Sequence, residues 1–154
     1  MKILMVCLGN ICRSPMAEGI MRHKIQQLNL NASVDSCGTA DYHVGDSPDM
    51  RAQQILKTKG IDISNLIGRQ FTLNDFENFD LILTMDKNNY DHVMYLARNE
   101  NDKNKVDMIM NKLYPNEDIA VQDPYYGGQQ GFEDTYNMLD LACKKIADEL
   151  SNFN

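Results

Sequence analysis

One segment near the start of the chain concentrates chemistry: Val6-Cys7-Leu8-Gly9-Asn10-Ile11-Cys12-Arg13-Ser14-Pro15. Cys7 ends an apolar run, and Arg13 and Ser14 fall where a helix is due to begin. A loop running from a strand into a helix can turn successive backbone N–H groups inward as an anion nest. The helix N-terminus adds its dipole and unpaired donors at the same point. Gly9 and Asn10 tolerate the left-handed backbone that a tight cradle requires. The planar fork of Arg13 suits two oxygens of a tetrahedral oxyanion. Cys7 then lies at the floor of the cradle. Helix N-termini and neighbouring cations lower a thiol pKa from about 8.5 to as little as roughly 3.5. Cys7 is therefore expected as a thiolate without a His base, and a hydrogen bond from Ser14 acts in the same direction. The chemistry that follows is displacement at a bound phosphorus, with the loop and Arg13 stabilising charge on the equatorial oxygens. A buried Cys after a strand is more often just a small hydrophobe. The Cys–Arg–Ser spacing in a strand-loop-helix context outweighs that reading.

Displacement also needs a proton for the leaving oxygen. The best candidate is Asp123, in Gln122-Asp123-Pro124-Tyr125-Tyr126-Gly127-Gly128. Asp-Pro followed by two Gly is by itself an ordinary turn signal. Paired with the Cys7 loop, it reads as a catalytic acid on a loop. The two adjacent Tyr suit the walls of a slot for an aromatic leaving group.

The elements that must position these residues follow from periodicity. Residues 2–6 read as a buried strand. A helical pattern opens at Ser14-Pro15 and runs through Leu28. Residues 33–37 make a second strand. Ser47-Pro48-Asp49 starts a helix that stops at Gly60. Residues 80–84 form a third strand, followed by a helix over 86–97, a polar loop over 99–105 and a weaker strand over 106–110. Residues 122–131 read as a Gly/Pro-rich loop, and 132–153 as a closing amphipathic helix. Strands alternating with helices imply a parallel sheet covered on both faces. Ligands of such sheets sit beyond the carboxyl ends of the strands, where the strand order reverses. The loop after the first strand is the leading position.

With 154 residues, 43% hydrophobic and 24% charged, the chain is expected to be one soluble domain over 1–154 with a real core. Its formal net charge of −7 disfavours nucleic acid and anionic membranes as partners. Any bound anion must be held by local geometry. No apolar run spans a membrane and no signal-peptide pattern is visible, so the expected compartment is the cytoplasm. There Cys7, Cys12, Cys37 and Cys143 are thiols. Neither these Cys nor His23, His43 and His92 have metal-ligand spacing, so no metal or cofactor is expected.

The loop at 7–15, Cys-Leu-Gly-Asn-Ile-Cys-Arg-Ser-Pro, together with Asp123-Pro124-Tyr125-Tyr126, resembles the low-molecular-weight protein tyrosine phosphatases. The similarity spans the chain and includes Asp35-Ser36, Val44-Gly45 to Pro48-Asp49, and Met85-Asp86. The resemblance implies a four-stranded parallel sheet with helices on both faces, flavodoxin-like and of the phosphotyrosine protein phosphatase I type. It implies hydrolysis of phosphotyrosine in tyrosine-phosphorylated proteins, without metal, by a monomer or weak dimer. Cys7 becomes a cysteinyl phosphate, and Asp123 acts first as acid and then as base. The Arg13 side chain and the N–H groups of Leu8, Gly9, Asn10, Ile11, Cys12 and Arg13 hold the phosphoryl oxygens. Asn10, Ser14 and Ser36 keep the loop in shape, and Tyr42 and Tyr125 wall the pocket. Cys12 matches a second loop Cys that can form a reversible disulfide with Cys7. Asn65 stands near where many relatives carry a loop-supporting His. His43 lies in the variable loop beside the pocket and is expected to be a solvated loop residue.

Three alternatives share some of these features. An arsenate reductase needs further relay Cys, and none lies between Cys37 and Cys143. A protein-arginine phosphatase carries Thr in place of Ile11 and a smaller residue in place of Tyr125. A non-catalytic phosphate-binding module explains the cradle, but not the pairing of Cys7 with Asp123.

Overall fold

The computed structural model describes residues 1–153. Four strands form one all-parallel sheet: β1 (Lys2–Cys7), β2 (Ser33–Gly38), β3 (Leu81–Thr84) and β4 (Val106–Met108), in the order β2-β1-β3-β4. The central strand β1 pairs with both β2 and β3, with Cys7 opposite Gly38 and Val6 opposite Thr84. Its side chains alternate between two cores. Ile3 and Met5 pack on one face, with Met16, Ile20, Leu139 and Cys143. Leu4 and Val6 pack on the other, with Phe76, Ile82 and Val93. A strand buried on both faces needs an unbroken apolar run, which is what 3–7 supplies.

Helix α1 (Arg13–Gln27) covers the first face and packs against the closing helix α6 (Gly128–Ser151). All nine residues from Arg13 to Met21 are buried, so the site-bearing end of α1 is enclosed on every side. Helix α2 (Met50–Thr58) is capped by Asp49, whose carboxylate accepts from the Arg51 N–H at 2.8 Å. The α3 (Asn74–Asn78), α4 (Lys87–Leu96) and α5 (Glu100–Asn104) helices complete the set. Chain order and strand order diverge at β1: the connection through α1 leads to β2 on one side, and β3 lies on the other. The carboxyl end of β1 is thus a topological switch point, where α/β sheets place their ligands.

Several boundaries differ from the sequence reading. The polar stretch 99–105 contains α5, because the Asn99 side chain accepts from the Asp102 N–H at 2.8 Å and caps a single turn. Strand β4 ends at Met108, and a one-turn 3₁₀ helix (Ile109–Lys112) replaces its last two expected residues. Helix α3 has no counterpart in the sequence reading. A 3₁₀ turn (Pro124–Tyr126) lies inside the expected 122–131 loop, and α6 begins at Gly128, four residues earlier than its apolar stripe suggests. The closing helix ends at Ser151 rather than at Phe153.

Candidate active site

The chain leaves β1 at Cys7 and enters α1 at Arg13, and the intervening loop has a divided backbone. Its carbonyls are used outward: those of Cys7, Leu8, Ile11 and Cys12 accept from the N–H groups of Thr39, Ala40, Asp49 and Met16 at 2.8–3.1 Å. Among the described residues, the N–H groups of Leu8, Gly9, Ile11, Cys12 and Arg13 donate to no protein acceptor. The Asn10 N–H points at the Cys7 Sγ, at 3.3 Å. Asn10 itself adopts φ 58°, the left-handed conformation that turns the loop. Inward donors and outward acceptors define an anion nest, and the α1 N-terminus adds to its field.

Asn10 also fastens the loop through its side chain. Its Nδ2 donates to the Ser14 Oγ at 2.8 Å and to the Ser36 Oγ at 3.0 Å, and its Oδ1 accepts from the Arg69 N–H at 3.0 Å. The Ser14 Oγ lies 3.0 Å from the Cys7 Sγ and 3.2 Å from the Cys37 carbonyl oxygen. A hydroxyl has one proton to give. Ser14 donates it to a Cys7 thiolate, or to the Cys37 carbonyl when the sulfur is not an anion. The Ser14 hydroxyl and the Asn10 N–H thus both lie within hydrogen-bond reach of the sulfur.

Arg13 is buried, at 3% exposure. Its Nη1 donates to the Asp86 Oδ2 at 2.6 Å and to the Val121 carbonyl at 3.0 Å, which fixes the plane of the guanidinium. The Nε and Nη2 edge remains for an oxyanion. Burial alone would weaken the protonated form. The charges of Cys7, Asp86 and Asp123 outweigh it and raise the Arg13 pKa above its ordinary value. Asp123 places Oδ2 3.7 Å from the Arg13 Nη2, while its Oδ1 caps the 3₁₀ turn through the Tyr125 N–H at 3.1 Å. Burial pushes the Cys12 thiol well up, with Asp49, Cys7 and Asp123 adding to the effect, so Cys12 stays protonated beside Cys7.

These groups share one cavity of about 230 Å³. Cys7 and Arg13 form its floor, and Tyr42, Asp123 and Tyr125 stand around it. Tyr42 is 73% exposed and Tyr126 91%, and the Tyr125 and Tyr126 rings meet edge to face at 4.9 Å. The sequence-predicted residues Leu8, Gly9, Ile11 and Cys12 also line this cavity, whereas Asn10, Ser14 and Ser36 lie behind it as supports.

A model of the family described as low molecular weight phosphotyrosine protein phosphatase matches residues 2–153. The chain belongs to that family. Among this phosphatase family, a low molecular weight phosphotyrosine protein phosphatase of Schizosaccharomyces pombe is 41% identical over 141 residues, covering 90% of this chain and 89% of its own. The crystal structure of a protein tyrosine phosphatase from Entamoeba histolytica superposes with a TM-score of 0.92 at 37% identity, covering 99% and 98% of the two chains. That of an arginine phosphatase from drosophila gives a TM-score of 0.89 at 35% identity, covering 97% of each chain.

The phosphatase-family chain also recruits site residues that sequence spacing does not single out. Asp86, just beyond the end of β3, holds Arg13. Gly38, at the end of β2, lies under the loop: a Cβ there would come within 2.6 Å of the Leu8 carbonyl oxygen. The Arg69 backbone joins the two, its carbonyl accepting from the Gly38 N–H at 2.9 Å and its N–H donating to the Asn10 side chain. Asn65 is exposed, and Arg69 supplies the bond to Asn10. Asp86 was reachable from sequence as an acid closely following a buried strand. Gly38 and Arg69 carry no comparable signal.

Proposed function

We propose that this chain hydrolyses phosphotyrosine in proteins through a cysteinyl-phosphate intermediate. The observation that carries the reading is the placement of the Cys7 sulfur at the floor of a cradle of unpaired N–H groups. Arg13 and Asp123 stand on the same cavity. The phosphoryl oxygens take the N–H groups of Leu8, Gly9, Ile11, Cys12 and Arg13 and the free edge of the Arg13 guanidinium. The Cys7 thiolate attacks phosphorus as the bond to the tyrosine oxygen breaks. Asp123, as the carboxylic acid, gives its proton to that oxygen, so a neutral phenol leaves. In the second half, the Asp123 carboxylate takes a proton from water. The water oxygen attacks phosphorus, the S–P bond breaks, and the sulfur leaves as a thiolate. Ser14 and the Asn10 N–H receive it. The nest and Arg13 meet the charge that develops on the oxygens, and such preorganised donors usually lower the barrier more than any other single effect.

Tyr42 and Tyr125 suit a flat aromatic leaving group, and Ile11 gives the pocket an apolar side. These residues favour phosphotyrosine over phosphoarginine. Cys12, protonated and lining the same cavity as Cys7, supports a reading in which it traps an oxidised Cys7 as a disulfide. The test is turnover of p-nitrophenyl phosphate and of paired phosphotyrosine and phosphoarginine peptides. The reading predicts hydrolysis unaffected by EDTA, a preference for phosphotyrosine and loss of activity in Cys7→Ser. Activity surviving Cys7→Ser, or a preference for phosphoarginine, would refute it.

A further inference from the structure

The loop that carries Asp123 is tied down by a residue outside the cavity. Arg51, in the first turn of α2, donates from Nη1 to the Tyr125 carbonyl at 2.9 Å. Its Cζ lies 5.2 Å from the Tyr125 ring centroid and 4.8 Å from that of Phe132. Its Nε and Nη2 grip the two oxygens of Asp49 at 3.0 and 2.9 Å. Asp49 in turn donates its backbone N–H to the Ile11 carbonyl of the anion loop at 2.8 Å. One continuous bracket therefore runs from the anion loop through Asp49 and Arg51 to the turn that begins at Asp123.

Arg13 ties the near side of this segment to the anion loop, through the Val121 carbonyl and the Asp123 carboxylate, and Arg51 ties the far side. Among the described residues, Arg51 supplies the one hydrogen bond reaching 124–127 from outside 122–135. Arg51 does not line the cavity, so it is not placed to touch a bound phosphate. A planar fork that meets a carboxylate on one edge and a carbonyl on the other fixes distance and angle together, which a lysine cannot do. Proton transfer to a leaving oxygen is steep in distance, because the acid must lie within hydrogen-bond reach.

We propose that Arg51 is a positioning residue that holds Asp123 in register with the anion loop, so that the acid reaches the leaving oxygen. The proposal rests on the reading of Asp123 as the acid. It is tested with Arg51→Met and Arg51→Lys, alone and combined with Asp123→Ala. The substrates are p-nitrophenyl phosphate, a good leaving group, and phenyl phosphate, a poor one. The readout is kcat/KM, which reports the enzyme's hold on the transition state. Competition by inorganic phosphate reads the cradle alone.

In Arg51→Met, kcat/KM on phenyl phosphate is expected to fall about tenfold, a part of the roughly 10²–10⁴-fold a general acid supplies. The loss on p-nitrophenyl phosphate is expected to be much smaller, phosphate affinity unchanged, and Arg51→Lys intermediate. In the Asp123→Ala background, removing Arg51 should cost nothing further, since its effect passes through the missing acid. Equal losses on both substrates, weakened phosphate binding, or a loss that multiplies with Asp123→Ala would overturn the proposal. If Asp123→Ala alone slowed both substrates equally, the acid assignment itself would fail and take the role of Arg51 with it.

Discussion

Asp86 shows how one side chain serves two structures. Its Oδ1 accepts from the Asn89 N–H at 2.8 Å and caps α4, while its Oδ2 holds Arg13 at 2.6 Å. Asn caps a helix about as well as Asp, so Asp86→Asn separates the two jobs. Loss of a charge-assisted hydrogen bond costs about 1.5–3 kcal/mol. We expect Asp86→Asn to keep the melting temperature within a few degrees and to lower kcat/KM roughly tenfold or more, with weaker competition by inorganic phosphate. A large drop in melting temperature with unchanged phosphate affinity would mean that Asp86 serves the helix alone. The same residue marks where sequence reading stops. Cys7, Arg13 and Ser14 are legible because one short loop carries them in a fixed order. Asp86 and Arg69 reach that loop from 73 and 59 residues away, and no local pattern encodes such a meeting.

Between elements, β2 and the anion loop meet with no space to spare. Gly38 pairs with Cys7 and lies beneath the Leu8 carbonyl and the Asn10 N–H. Both neighbours are backbone, so neither can rotate away from an added methyl group. Gly38→Ala is expected to push the loop outward and destabilise the fold by about 1–3 kcal/mol, as overpacking does. Phosphate competition should weaken in the same variant, and unchanged phosphate affinity would show that the loop does not depend on this contact. Helices α2 and α6 were legible from apolar faces recurring at helical spacing, and β1 from its unbroken apolar run. The five-residue helices α3 and α5 were not, because a single turn is too short to show a period. Local caps such as that of Asn99 decide them instead. The early start of α6 has a related cause: its first turn at Gly128 carries turn residues and no apolar stripe.

The folded chain as a whole stores one carboxyl group at a cost that depends on pH. Glu18, on α1, is buried and has an Oε2 with no hydrogen-bond partner among the described residues. Burial pushes its carboxyl up to about 8, helped by the Asp35 carboxylate and opposed by Arg22 and Arg69. The folded protein therefore favours protonated Glu18, whereas the unfolded chain ionises it near the ordinary glutamate value. The folded state binds the extra proton between those two values, so stability contributed at low pH is lost as pH rises through about 8. Melting temperatures measured from about pH 5 to pH 9 should fall less for Glu18→Gln than for the native chain. A steeper fall in the variant would reverse the assignment. The parallel sheet and its switch point were readable at this level, because alternation of strands and helices admits few topologies. The burial of Glu18 near the half-exposed Asp35 and Arg69 was not, because burial of a polar helix residue is settled only by the packing of the finished sheet.

The mechanism stands or falls on whether the Cys7 sulfur takes the phosphoryl group. That is decided by mixing the native chain with p-nitrophenyl phosphate, quenching in acid within one turnover and mapping the products by mass spectrometry. A cysteinyl-phosphate route predicts one phosphoryl group on the peptide containing Cys7, formed with a burst of nitrophenol and absent in Cys7→Ser. Turnover with no phosphorylated peptide at any quench time, or with the phosphoryl group on another residue, would contradict it.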